Sequence, residues 1–157
     1  MFRYIVAEDL DELIVPRSPH HMSWSAMIQN SNCSSHSMTY GVRNLVFKIV
    51  THKTNRLLTF DNIKRAPLVY PFFSRSKYIA KTGVKQMKIH STDDRHNICI
   101  LDIDLSALHH YRFVDGLYNE SDAIFDKSIL VYRDSIKPKV DQVTAKINHL
   151  NLANKIN

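Results

Sequence analysis

The run Ile98-Cys99-Ile100-Leu101 constrains this chain most: four consecutive apolar residues, two of them β-branched, have the composition of a short strand buried on both faces. Asp102 and Asp104 then alternate with Ile103 and Leu105, so two carboxylates would leave one side of the strand and two apolar groups the other. Phe113-Val114 followed by Asp115-Gly116 reads as a second short strand closed by a tight turn, because Asp-Gly tolerates a positive φ. The stretch from Asn97 to Phe125 is thus expected to organise the fold, with any site near its strand ends.

Around that stretch the pattern is of short strands and few helices. Phe2 to Val6 reads as a strand, and Leu10, Leu13 and Ile14 stand at helical spacing behind Glu8 and Asp9. Pro16 and Pro19 end that element, and residues Met22 to Tyr40 read either as a loop with a short helical turn or as a mobile lid. Asn44 to Val50, Arg56 to Phe60, Gln86 to His90 and Ser128 to Tyr132 read as strands, with Ser91 to His96 a polar turn. Ser74 to Thr82 reads as a helix exposing Lys77 and Lys81 and stopping at Gly83. From Pro138 onward, Val140, Val143, Ile147 and Leu150 repeat at intervals of three, four and three, an amphipathic C-terminal helix. With no strict alternation of strand and helix, the fold class expected is α+β, a single compact domain with a mixed or antiparallel sheet core.

The 157 residues suit one domain with a sizeable core. Cys33 and Cys99 form no framework of spaced cysteines, and Cys99 inside an apolar run reads as a buried reduced thiol, which implies a cytoplasmic setting. No apolar run approaches the roughly 20 residues of a membrane span, and Met1 to Pro16 carries four acids where a secretory leader is basic and then apolar. No membrane association is expected.

Charge is unevenly spread. From Leu13 to Thr92 there are twelve Lys and Arg and one acid, Asp61, whereas the rest of the chain holds nine basic and fourteen acidic residues. The basic part is densest from Asn62 to Thr92, where Lys64, Arg65, Arg75, Lys77, Lys81, Lys85 and Lys88 interleave with Tyr70, Phe72, Phe73 and Tyr78. Cations neutralise phosphates and aromatic faces stack on unpaired bases, so the mixture suits single-stranded nucleic acid or a nucleotide cofactor; Lys64, Arg65, Lys77, Lys81, Lys85 and Lys88 are the expected nucleic-acid contacts, with single-stranded DNA or RNA as partner. Of the aromatics, Phe72 and Phe73 read as core ahead of Tyr70 and Tyr78. His20-His21, His96 and His109-His110 lack metal-ligand spacing, so no metal site is expected. Two His-x-Ser/Thr triplets, His21-Met22-Ser23 and His90-Ser91-Thr92, leave open a two-histidine phosphodiesterase in which one ring is base and the other acid.

Taken in order, several blocks resemble the DarT-type ADP-ribosyltransferases, which modify single-stranded DNA using NAD. Phe2-Arg3-Tyr4-Ile5-Val6 with Asp9-Leu10 resembles their opening strand and helix. His36-Ser37-Met38-Thr39-Tyr40 with Arg43 resembles their NAD-contacting segment, and Val69-Tyr70-Pro71-Phe72-Phe73 with Arg75-Ser76 their aromatic block. Residues Ile98 to Leu105 with Phe113-Val114-Asp115 are similar to their later strand elements. Tyr4-Ile5-Val6 stands where that family has His-x-Thr. The resemblance implies NAD as cofactor at His36, Arg43, Tyr70 and Arg75, and Glu120 or Asp122 as the carboxylate that opposes oxocarbenium charge as the nicotinamide bond breaks. Without turnover, the same chain would be a nucleic-acid-binding or inhibitory module, with a protein partner open.

Overall fold

Three strands that bend from one sheet into another give this protein its shape. The structure, a computed structural model, describes residues 3–18, 23–50, 57–88, 91–92 and 97–153, with side chains described except at 91–92 and 148–153. The first sheet contains β1 (Tyr4–Val6), β3 (Thr39–Val42), β6 (Lys77–Lys81) and β9 (Ile98–Ile100), in the order β1-β6-β3-β9. The second contains β2 (Glu12–Pro16), β4 (Asn44–Lys48), β5 (Lys64–Val69), β10 (Ser106–Arg112) and β11 (Ile124–Phe125), in the order β11-β5-β4-β10-β2. A small hairpin, β7 (Met87–Lys88) with β8 (Ser91–Thr92), pairs separately from both and lies beside β6.

The order of strands explains the bend. β3 passes into β4 through the single residue Arg43, and the same sequence of neighbours, β6-β3-β9 in one sheet and β5-β4-β10 in the other, continues across the seam. Each sheet is mixed: β3 pairs parallel with β9 and β4 parallel with β10, while β6 and β5 run antiparallel to them. At the seam the 70–76 connection makes a tight turn with Phe73 and Arg75 in the left-handed region, at φ 70° and 59°. Asn44 Nδ2 secures that turn by donating to the Arg75 carbonyl. Gly41 is required beside it, because a Cβ there would collide with the Phe72 ring.

The facing sides of the two sheets bury Ile14, Leu108, Tyr40, Val42 and Ile79 together with Met27 and Ile28 of helix α1 (Trp24–Gln29). On the other face of the second sheet, Leu45, Phe47, Ala107 and Tyr111 form a second cluster, and Val15 packs with Phe60 and Ile129 in a third. That face is covered by helix α2 (Leu58–Asp61), by a 3-10 turn at Ser128–Tyr132 and by the start of helix α3 (Arg133–Ala153).

The α+β class, the mixed sheet core and the C-terminal helix agree with the sequence reading; several elements do not. Ser74 to Thr82 is no helix but the central strand β6, and Lys77, expected on an exposed face, is fully buried. Its four-residue spacing from Lys81 imitates a helical face, but Tyr78, Ile79 and Ala80 are all core. Leu10, Leu13 and Ile14 belong to a turn and to strand β2, since backbone pairing with β10 overrides their helical spacing. Where Arg56 to Phe60 reads as a strand, the described residues give the helix Leu58–Asp61, and Ser128–Tyr132 is a 3-10 turn rather than a strand. Ile98–Ile100 lies at a sheet edge, not buried on both faces, and the long strand is Ser106–Arg112, not Phe113-Val114. Helix α3 begins at Arg133, ahead of Pro138.

Two covalent or ionic ties join the layers. Cys33 and Cys99 are disulfide-bonded, linking the loop after α1 to β9, so the expected reduced thiol at Cys99 is replaced and with it the ground for a cytoplasmic setting. No described helix is long and apolar enough to cross a membrane. Lys77 Nζ, on β6, lies 2.9 Å from both Asp9 Oδ2 and Glu12 Oε2, the latter on β2 and itself buried. Burial works against the ammonium, but the hydrogen bonds and charges of Asp9 and Glu12 outweigh it and raise the Lys77 pKa. His110 Nε2 stands 3.2 Å from Asp11 Oδ2 and its Nδ1 3.5 Å from Glu12 Oε1, extending the network to β10.

Lys77→Met leaves Glu12 buried without its counter-charge, and is expected to lower unfolding free energy by about 3–5 kcal/mol. Urea denaturation followed by near-UV circular dichroism measures this; an unchanged midpoint would show the pair to be dispensable. The disulfide closes a loop with a sequence separation of 66 residues. Reduction, or Cys33→Ser, is therefore expected to cost about 2–4 kcal/mol, and a thiol titration on untreated protein should find no free cysteine.

Candidate functional site

On the covered face of the second sheet, one carboxylate holds two arginines side by side. Asp126 follows edge strand β11, and its amide donates to the Ile63 carbonyl, which turns the chain inward over the sheet. Its Oδ2 accepts from Arg17 Nη1 at 2.6 Å and from Arg65 Nε at 3.1 Å, while its Oδ1 accepts from Ser128 Oγ at 2.7 Å and from the Ser128 amide. Arg17 is brought there by the end of β2, where its amide donates to the Leu105 carbonyl, and Arg65 by β5. Burial alone would raise the Asp126 pKa, but the Ser128 and Arg17 hydrogen bonds and the Arg17 charge hold it down at about 2.

Behind Asp126 the network runs into the core. Ser128 Oγ lies 3.2 Å from His109 Nε2, and His109 Nδ1 lies 3.3 Å from the Tyr111 hydroxyl, which donates to the Thr59 carbonyl. The His109 ring stacks on Phe47 with centroids 4.3 Å apart. Burial, with the Arg17 and Arg65 charges adding to it against Asp126, pushes the His109 pKa down to about 3, so the ring is neutral. Burial raises Tyr111 above its ordinary value, with the Asp126 charge adding to it. These groups back the arginines and hold Asp126 in place.

In front of Asp126 is a pocket of about 290 Å³, lined by Arg17, Arg65, Asp104, Lys127 and Ser128 and by Ile124 and Phe125. Arg65 Nη1 is occupied by the Ala66 carbonyl. Arg17 Nε and Nη2 and Arg65 Nη2 keep N–H groups that no described side chain or carbonyl accepts. Phe125 beside them is 62% exposed, with Lys64 Nζ 5.3 Å from its ring centre. A pre-aligned guanidinium pair next to an exposed aromatic face can hold an anionic oxygen group and a flat ring together.

A second, larger cleft of about 550 Å³ opens at the seam, lined by Arg43, the Cys33–Cys99 bond, Asp102, Asp104 and the end of α1. Asp104 belongs to both spaces. Arg43, half-buried, has no ion pair among the described residues.

The structure gathers some of the residues expected from sequence and separates others. Arg43, Tyr70 and Arg75 all lie at the seam, with the Arg75 guanidinium 5.6 Å from the Tyr70 ring centre and the Tyr70 amide on the Asn44 carbonyl. His36 is exposed in the turn before β3, next to Ser34. Glu120 lies at the opposite end of β4, where its carboxylate bridges Lys64 at 3.0 Å and Lys48 at 3.7 Å. The Lys64 hydrogen bond, then the Lys64 charge, lowers its pKa, and the side chain is exposed. Asp122 is exposed and accepts hydrogen bonds from Asn119 Nδ2 and Ser121 Oγ. Glu120 and Asp122 are thus not brought to Arg43, Tyr70 and Arg75.

Of the expected nucleic-acid contacts, Arg65 lines the pocket and Lys64 borders it, while Lys85 and Lys88 are exposed near the small hairpin. Lys81 donates to the Ser35 carbonyl and lies over Tyr40, and Lys77 is sealed in its ion pairs, so it cannot reach a phosphate. Tyr78 is wholly core and Phe73 exposed, the reverse of the order expected. His21 and His90 lie outside the described residues. Among the described residues, no three of His, Cys, Asp and Glu stand together as metal ligands. Sequence reading missed Arg17, Phe125, Asp126, Lys127 and Ser128, because no local motif joins residue 17 to residue 126. Compared with protein-family models, curated proteins and solved structures, the chain matches none.

Between pH 6.5 and 3 the unfolded chain binds a proton at His109 that the folded one refuses, so stability falls as pH drops, by up to about 1.4 kcal/mol per pH unit. Asp126 adds to the loss from its ordinary 3.8 down to about 2, where its folded form at last takes a proton. Denaturant midpoints measured from pH 8 to pH 4 should decline below 6.5, and His109→Gln should flatten that decline.

Proposed function

We propose that this protein binds single-stranded nucleic acid, with a backbone phosphate on Arg17 and Arg65 and a neighbouring base stacked on Phe125. The observation that carries the reading is that two guanidiniums share one Asp126 oxygen on the wall of a pocket whose rim is an exposed aromatic ring. Asp126 fixes both arginines before a ligand arrives, which lowers the ordering cost of binding. Arginine suits this role because its planar donors match phosphate oxygens two at a time. Lys127 and Lys64 border the same surface and add charge without direction. The stacked ring tolerates any base, so little sequence preference is expected.

The reading keeps the nucleic-acid target of the DarT-type resemblance and leaves out NAD. ADP-ribosyl transfer needs a carboxylate beside the cofactor, and Glu120 is engaged with Lys64 and Lys48, away from the seam that holds Arg43, Tyr70 and Arg75.

Fluorescence anisotropy with labelled single-stranded oligonucleotides across a salt series tests the proposal. Affinity should fall with salt at a slope of about −0.7 per phosphate neutralised, and Lys127→Ala should reduce that slope by about one phosphate. Phe125→Ala, at an exposed position, should weaken binding about 5- to 150-fold without altering the thermal midpoint. Binding that survives both Phe125→Ala and Arg17→Ala unchanged, or no binding at low salt, would overturn it.

A further inference from the structure

Helix α3 carries an apolar seam that the body of the protein leaves uncovered. Its 21 residues reach about 31 Å at the usual helical rise. Ile136 packs at the base with Val15, Phe60 and Ile129. Beyond it no residue with a described side chain is buried, and Val143 and Ile147 are 56% and 50% exposed. Ile136, Val140, Val143 and Ile147 recur at intervals of four, three and four, and Leu150 continues the register in sequence. That is the alternation of a two-helix seam, with β-branched residues at both kinds of seam position. The stripe is narrow and has no aromatic residue, whereas a helix lying on a membrane presents a broad apolar face with Trp, Phe or Leu.

The charges beside the seam say what kind of helix fits it. Lys137, Lys139 and Lys146 all occupy the two positions that flank the seam, while Asp134 and Asp141 both fall on the outer side. Two parallel copies would place Lys139 and Lys146 opposite Thr144 and Asn151, with no ion pair. Two antiparallel copies would set lysine against lysine. We propose that α3 docks an amphipathic helix of another protein whose flanking positions are acidic. Such a partner covers Val140, Val143 and Ile147 and pairs Glu or Asp with the three lysines, at the expense of the exposed Lys137–Asp141 pair on α3 itself.

Full-length protein is titrated with two synthetic heptad peptides, identical in their Ile and Leu seam residues but flanked by Glu in one and by Lys in the other. The Glu-flanked peptide should bind about tenfold tighter, the order that three exposed ion pairs supply. Val143→Asp should abolish binding, and because Val143 is exposed it should leave the thermal midpoint of the body in place. The triple change Lys137→Glu, Lys139→Glu, Lys146→Glu keeps good helix formers throughout and should reverse the preference between the peptides. Equal affinity for both peptides, or none, overturns the proposal. So does a sedimenting dimer that Val143→Asp dissolves, which would make the occupant a second copy, and so does seam-dependent binding to phosphatidylserine vesicles with no peptide preference.

Discussion

A fully buried ammonium group, Lys77, sits between the two sheets, and much of the architecture follows from keeping it paired. Taking a lysine out of water is costly unless its charge is met at close range. Glu12 and Asp9 meet it at 2.9 Å each, and Glu12 is as deeply buried as its partner. Because Lys77 is on β6 and Glu12 on β2, the pair fixes one sheet against the other and sets the register in which Ile14, Leu108, Val42 and Ile79 interdigitate. His110 and Asn44 continue the same polar line to the 70–76 turn. Hydrophobic burial supplies most of the driving force between the sheets, and the ion pair adds a directional constraint to it.

The second constraint is the bend. Strands that pass from one sheet to another must change direction within one or a few residues, and the chain does so at Arg43, at residues 70–76 and between β9 and β10. The bend leaves a cleft on one side, with Arg43 and Asp102, and brings the end of β2 beside the β9–β10 connection on the other. Arg17 leaves β2 at that point and finds Asp126, delivered from the far edge of the sheet by β11. The arginine pocket is therefore a product of where strands end rather than of any single segment. Asp104, on the wall of both spaces, marks where they meet.

Some of this was legible beforehand. Asn44 to Val50 reads as a strand from its apolar, β-branched content, and β4 occupies Asn44–Lys48 of it, with Asn44 to Phe47 all buried. Arg65 reads as part of a basic surface and does line the pocket. Lys77 reads the same way yet is core, because nothing local distinguishes a lysine that meets solvent from one that meets Glu12 across 65 positions. His109 shows the converse: in a His-His pair with no ligand spacing it looks inert, yet it is the neutral ring that packs on Phe47 and backs Ser128. The β10 strand is not legible in the sequence because Ser106 and His109, both fully buried, break the apolar pattern that announces a strand.

The sequence by itself determined the class of fold, the amphipathic seam of the last helix and the basic character of residues 13–92, since these depend on local periodicity and on summed charge. Only the tertiary structure decided which cations remain available and which are consumed, because a charge is neutralised by whatever lies within a few ångströms of it. Asp126 reaches Arg17 across 109 positions and Arg65 across 61, and Cys33 reaches Cys99 across 66. Separations of that length are set by how strands pair, not by what the chain spells nearby.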